Sequence, residues 1–95
     1  MEIKEELKDN VLTLTLKGRL DTIASEDLDN KLSEKVEGLN NIIFDLKEID
    51  YIASSGLRVL IKYQKMFKDL EIRNVTDNVM DVLKMTGLDS VLNIK

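Results

Sequence analysis

Two adjacent hydroxyls, Ser54 and Ser55, followed by Gly56, are the residues of this chain best placed to do chemistry. They come after an apolar run, Asn41-Ile42-Ile43-Phe44-Asp45-Leu46, and a mixed stretch, Lys47-Glu48-Ile49-Asp50-Tyr51-Ile52. A helical pattern begins just beyond them, Leu57-Arg58-Val59-Leu60-Ile61-Lys62-Tyr63. The order reads as buried strand, loop and helix, with the hydroxyls where the helix starts. The first N–H groups of a helix have no partners within it, so a serine there can accept one as an N-cap. The same helix end carries partial positive charge and favours an anion such as a phosphate. Each serine is therefore either a plain cap or a modifiable hydroxyl. Gly56 lets the backbone approach a neighbour closely.

Other chemistries find little support. The chain has no histidine, which removes the commonest general base and metal ligand, and no cysteine for a disulfide or thiolate site. There is no Gly-x-Ser-x-Gly elbow and no Gly-x-x-x-x-Gly-Lys phosphate loop. Asp21, Asp45 and Asp50 could bind a hard cation through oxygen, but they form no ligand cluster. They are expected instead as a turn residue, a strand-end residue and a solvated loop residue. No metal, no cofactor and no enzymatic activity are expected. A net charge of −4 argues against nucleic acid as a partner. No apolar run is long enough to cross a bilayer, and Met1-Glu2-Ile3-Lys4-Glu5-Glu6 lacks a signal pattern. The expectation is one small cytoplasmic domain over residues 1–95, monomeric when free.

The elements that must position the serines follow from periodicity. Ile3–Leu7 reads as a charged edge strand, Asp9-Asn10 as a turn, and Val11–Lys17 as a strand alternating Leu12, Leu14, Leu16 with Thr13, Thr15, Lys17. A hairpin joins the two. A first helix is expected from Thr22 or Ser25 to Glu37, with Leu28, Leu32, Val36 and Leu39 on its buried stripe. Glu26 and Asp27 fall in its first turn, and Gly38 suits its C-terminal cap. The continuous run Ile42-Ile43-Phe44 predicts an inner strand between parallel neighbours, covered on both faces. Leu70–Val75 reads as a further strand. Thr76 or Asp77 caps a third helix carrying Val79, Val82, Leu83 and Met85, with Gly87 at its end. Val91–Ile94 reads as a last short strand. Strands separated by helices imply parallel pairing with right-handed crossovers.

On the wheel of the second helix, Arg58, Lys62 and Lys65 share one stripe, and Leu57, Leu60, Ile61 and Phe67 another. Val59, Tyr63 and Met66 widen the apolar arc beyond what one sheet needs to cover. They are either extra core or a partly exposed partner patch beside the serines.

Several stretches together resemble a known family. Gly18-Arg19-Leu20-Asp21-Thr22, Ile43-Phe44-Asp45-Leu46, Tyr51-Ile52-Ala53-Ser54-Ser55-Gly56-Leu57-Arg58-Val59-Leu60 and Thr86-Gly87-Leu88-Asp89 span nearly the whole chain. They resemble a stand-alone STAS domain of the bacterial anti-sigma factor antagonist type. The resemblance implies an α/β fold with a mixed four- to five-stranded sheet and three or more helices packed mainly on one face. It also implies a regulatory substrate. Such proteins bind an anti-sigma factor serine kinase and release a sigma factor; phosphorylation at the start of the second helix ends the binding, and a phosphoserine phosphatase restores it. Ser54 falls at the phosphoacceptor position, with Ser55 as the alternative. The partner surface expected here comprises Asp21, Thr22, Ala53, Ser54, Ser55, Gly56, Arg58, Val59, Lys62, Tyr63 and Met66. Asp21 and Asp45, if close, would repel the phosphate. The chain has Ala53 where many phosphorylated members have aspartate, and a short Lys65–Leu70 connection without a glycine-rich turn. The other role open to such a domain is a non-phosphorylated regulatory subunit of a larger assembly, such as a lipid-transport complex.

Overall fold

The computed structural model describes residues 1–95. In chain order the elements are β1 (Glu2–Lys8), β2 (Val11–Leu20), α1 (Thr22–Ser33), β3 (Asn41–Ile52), α2 (Ser54–Met66), β4 (Glu71–Arg73), α3 (Asp77–Thr86) and a short 3-10 turn at Leu88–Ser90. The four strands form one sheet in the order β1-β2-β3-β4. β1 and β2 are an antiparallel hairpin, and β3 lies parallel to both β2 and β4. The hairpin turns at Asp9 and Asn10, both in the left-handed region at φ 53° and 63°, which aspartate and asparagine tolerate better than most residues.

The sheet is covered on one face only. Leu12, Leu14 and Leu16 of β2 and Ile42, Phe44 and Leu46 of β3 are buried under the helices. Leu28 and Leu32 of α1, Leu57 and Leu60 of α2, and Val79 and Leu83 of α3 meet them in one cluster. The double-sided cover expected for Ile42-Ile43-Phe44 is therefore not found. Ile43 points to the open face and is half-buried, shielded only by its cross-strand partners Thr13 and Glu71.

β3 runs much further than its apolar segment. The stretch Lys47–Ile52, expected as a loop, continues the strand into α2. Its pairing with β2 slips twice, between Thr15 and Lys17 and between Gly18 and Arg19, with β3 carrying the extra residue each time. Such bulges re-aim side chains. The inward positions after Leu46 become Ile49 and Ile52, three residues apart, and the alternation that marks a strand is lost.

The other corrections are at element ends. α1 stops at Ser33, not Glu37; the amides of Lys35 and Val36 both close on the Leu32 carbonyl, at 2.8 and 3.1 Å. Val36 and Leu39 reach the core from the following loop, not from the helix. Because α1 starts at Thr22, Glu26 and Asp27 lie in its second turn. β4 is three residues long and ends before Asn74, which turns left-handed at φ 57°. Val91–Ile94 supplies a single parallel bridge, Ile72 with Ile94, rather than a strand. α3 matches its expected span and ends at Gly87 in the left-handed conformation, φ 76°.

Candidate functional site

Parallel pairing brings the two serines' surroundings together. Leu20 at the end of β2 pairs with Ile52 at the end of β3, and the Ala53 amide donates to the Leu20 carbonyl at 2.9 Å. One residue later each strand enters its helix, α1 at Thr22 and α2 at Ser54. The two helix N-termini therefore open side by side at the C-terminal ends of the two inner strands, where their partial positive charges add.

The first opening is sealed. The Asp21 carboxylate accepts the Ala24 amide at 2.9 Å, and the Ser25 hydroxyl, itself buried, donates to the Asp21 carbonyl at 2.6 Å. The second is not. Its N-cap is Ala53, with no side-chain cap. The reading of Ser54 or Ser55 as a plain N-cap is thus corrected: they are the first and second residues of the helix proper. An alanine has no oxygen to offer, so the leading amides of α2 face outward without a side-chain partner.

The two hydroxyls are not equivalent. Ser54 is exposed, whereas the Ser55 oxygen is buried without a hydrogen-bond partner. Ser55 lines a cleft of about 300 Å3 between α1 and α2, shared with Thr22, Ser25, Glu26, Asp29, Arg58, Val59 and Lys62. Gly56 is buried directly beneath. A Cβ there would stand 2.9 Å from Leu20 Cγ and 2.9 Å from Ile52 Cγ1, so only glycine lets the first turn of α2 lie on the strand ends.

The remaining expected site residues divide. Arg58 and Lys62 are exposed along α2. Val59 and Tyr63, expected to be partly exposed, are 6% and 0% exposed and belong to the core. The reason is α1, which packs across that arc of α2. The Tyr63 hydroxyl donates to the Asp29 carboxylate at 2.6 Å, and Lys62 Nζ reaches the same carboxylate at 2.8 Å. Lys62 and the tyrosine hydroxyl together hold the Asp29 carboxyl below its usual range, and burial with the Asp29 bond pushes the Tyr63 phenol far up. Met66 is 54% exposed but ends α2, about 18 Å from Ser54 at 1.5 Å per residue. Asp21 borders the serine turn. Asp45 does not: it lies seven residues before Ile52 on β3, roughly 23 Å away along the strand, where it accepts the Lys47 amide at 3.1 Å.

Three residues beside the turn escaped the sequence reading. Ile23, in the first turn of α1, is 73% exposed. Its signal was phase, since it falls outside the stripe of Ala24, Leu28 and Leu32. Arg19 stacks on the Tyr51 ring at 4.1 Å, its register partner across the sheet. No periodicity pairs those two, because a bulge brings them opposite one another.

Comparison with known proteins agrees with this geometry. A family model described as the STAS domain matches residues 2–95. The anti-sigma-B factor antagonist of Bacillus subtilis strain 168 is 26% identical over 100 residues, covering 99% of this chain and 92% of its own length. The unphosphorylated form of the anti-sigma factor antagonist SpoIIAA superposes with a TM-score of 0.84 at 19% identity, over 99% of this chain and 88% of that one. The phosphorylated form of the Bacillus cell fate determinant SpoIIAA gives 0.77 at 18% identity, over 99% and 91%. With a shared fold on one side and a family match across nearly its full length on the other, the chain belongs to the STAS domain family.

Proposed function

We propose that this protein is an anti-sigma factor antagonist, switched off by phosphorylation of Ser54. The observation that carries the reading is the contrast at the start of α2: an exposed Ser54 hydroxyl beside a buried Ser55 oxygen, on a helix end with no side-chain cap. The relatives support it by their names, and SpoIIAA, which shares this fold, has been solved in a phosphorylated form. In this role the chain is a substrate and binding module rather than an enzyme, acts in the cytoplasm and is a monomer when free. No helix is long and apolar enough to cross a membrane.

The partner is an anti-sigma factor with serine kinase activity. It docks on the edge where both helices begin: Asp21, Thr22 and Ile23 from α1, Ala53, Ser54 and Arg58 from α2, and the Arg19–Tyr51 stack. The Ser54 oxygen attacks the γ-phosphorus of ATP held by the kinase. The bond to the bridging oxygen of ADP breaks, and the hydroxyl proton passes to a base of the kinase. The product carries about −1.5 to −2 added charges on the docking edge, next to Asp21, and a phosphoserine phosphatase removes them. Val59 and Tyr63 support α2 from beneath.

The test is intact-mass measurement after incubation of wild type, Ser54→Ala and Ser55→Ala with the captured anti-sigma kinase and ATP. One phosphate is expected on wild type and on Ser55→Ala, and none on Ser54→Ala. A phosphate that survives Ser54→Ala and vanishes in Ser55→Ala moves the site by one residue. No phosphate from a kinase shown to be active overturns the switch and leaves the non-phosphorylated subunit role.

A further inference from the structure

Arg58 stands one helical turn after Ser54, and both are exposed on the same stripe of α2. Helical side chains lean toward the helix N-terminus, so the turn that holds Ser54 lies on the side toward which an arginine at position 58 leans. The next cation on the stripe, Lys62, is already engaged with Asp29 at 2.8 Å. The three ion pairs of the protein are Lys35–Glu5, Lys62–Asp29 and Arg73–Glu71, and Arg58 is in none of them. Across the cleft α1 presents two carboxylates, Glu26 and Asp29. Asp29 is occupied by Lys62 and Tyr63, and Glu26 pairs with no cation. An exposed arginine with no ion-pair partner thus stands one helical turn from the exposed serine.

We propose that Arg58 is the built-in cation for phosphorylated Ser54, closing on the phosphate with its two-pronged donor face. The proposal rests on Ser54 as the phosphoacceptor and goes further, because it names what the phosphate does within the chain. Guanidinium and phosphate match in geometry, and bidentate charged hydrogen bonds are the strong ones. The uncapped amides of α2 donate to the same oxygens from below. One modification then changes the docking edge twice: it adds a dianion, and it withdraws the Arg58 donors that the partner would meet.

The test needs no kinase. Phosphoserine is incorporated at position 54 of the full chain during translation, in wild-type, Arg58→Gln and Arg58→Lys backgrounds. The phosphorus-31 resonance is titrated through its second ionisation, at about pH 6. The helix end, Asp21, Glu26 and Asp29 act alike in all three proteins, so differences between them isolate position 58. The expected result is a second pKa lower in wild type than in Arg58→Gln by roughly half a unit, with Arg58→Lys between them. At about 1 M salt the difference should shrink, as the Debye length falls to about 3 Å. Equal pKa values in wild type and Arg58→Gln overturn the proposal. A lysine variant equal to wild type overturns the two-pronged contact and leaves only a point charge. Because the phosphate is installed directly, failure here leaves the kinase experiment standing, and failure of that experiment leaves this one readable.

Discussion

At Gly56 a single absent carbon decides how α2 meets the sheet. A methyl there would enter the 2.9 Å space beside Leu20 and Ile52, whose side chains are packed in the core. Gly56→Ala should therefore destabilise the protein by about 1–3 kcal/mol by overpacking, although alanine is the better helix former by about 1 kcal/mol. Urea unfolding would read the sign directly. The same logic reverses an expectation about Tyr63. On the wheel it shares an arc with Val59 and Met66 that fits either extra core or a partly exposed partner patch, and the expected partner surface includes it. In the fold it is fully buried and bonded to Asp29 at 2.6 Å. Tyr63→Ala should cost about 3–5 kcal/mol as a large-to-small core change. Tyr63→Phe should cost about 1.5–3 kcal/mol, the worth of a hydrogen bond to a charged group. Denaturant midpoints of the two variants separate the packing from the bond. Whether an apolar residue on a helix is core depends on what crosses it, and the position of α1 over that arc is written nowhere in the sequence of α2.

Elements whose pattern stays in phase were legible from sequence, and those whose phase is broken were not. β2 alternates through Leu12, Leu14 and Leu16, which makes it legible to Lys17; its last three residues, Gly18 to Leu20, continue the strand beyond that expected end. β3 holds two bulges, so Lys47-Glu48 and Asp50-Tyr51 look like loop residues while lying in a strand. The serine turn was legible as a helix start because Gly56 and the following apolar period mark it. Which hydroxyl faces water was not, since that depends on the close fit of Gly56 against the strand ends. At the level of helix pairing, the Asp29–Lys62–Tyr63 cluster ties α1 to α2 and makes a pH prediction. The folded pKa of Asp29 lies below its unfolded value. Its stabilisation is then fully present above the unfolded value of about 3.9 and fades as pH falls through the folded one. Tyr63 is shifted upward, so its contribution is complete below about pH 10 and fades above it. Asp29→Asn should be less stable than wild type at neutral pH, and the gap should narrow in acid. Urea midpoints from neutral pH down through about pH 3 check it; a gap that widens in acid would contradict the assigned shift.

The whole molecule is two layers thick, with a shortest extent of 19 Å, as a sheet covered by one layer of helices requires. α1 and α2 start at the C-terminal ends of its two inner strands, and the proposed switch sits at this rim rather than within the layers. A phosphate on Ser54 displaces no buried side chain and fills no part of the core. It sits where the helix end favours an anion. The fold should therefore survive modification intact. Amide chemical shifts should move near residues 19–25 and 52–58 and stay fixed in β1, β4 and α3. The effect on association is of another order. A partner face built for a neutral serine must strip or repel about −1.5 to −2 charges, and a penalty of about 3 kcal/mol already lowers affinity more than a hundredfold. Calorimetric titration of the anti-sigma partner with unmodified protein, with protein phosphorylated at Ser54, and with Ser54→Asp should give, respectively, full binding, a loss of about a hundredfold or more, and a smaller loss for the single carboxylate. Shift changes spread across the sheet would mean that the switch works by refolding. An affinity unchanged by the phosphate would mean that the partner docks elsewhere than at the edge where the two helices begin.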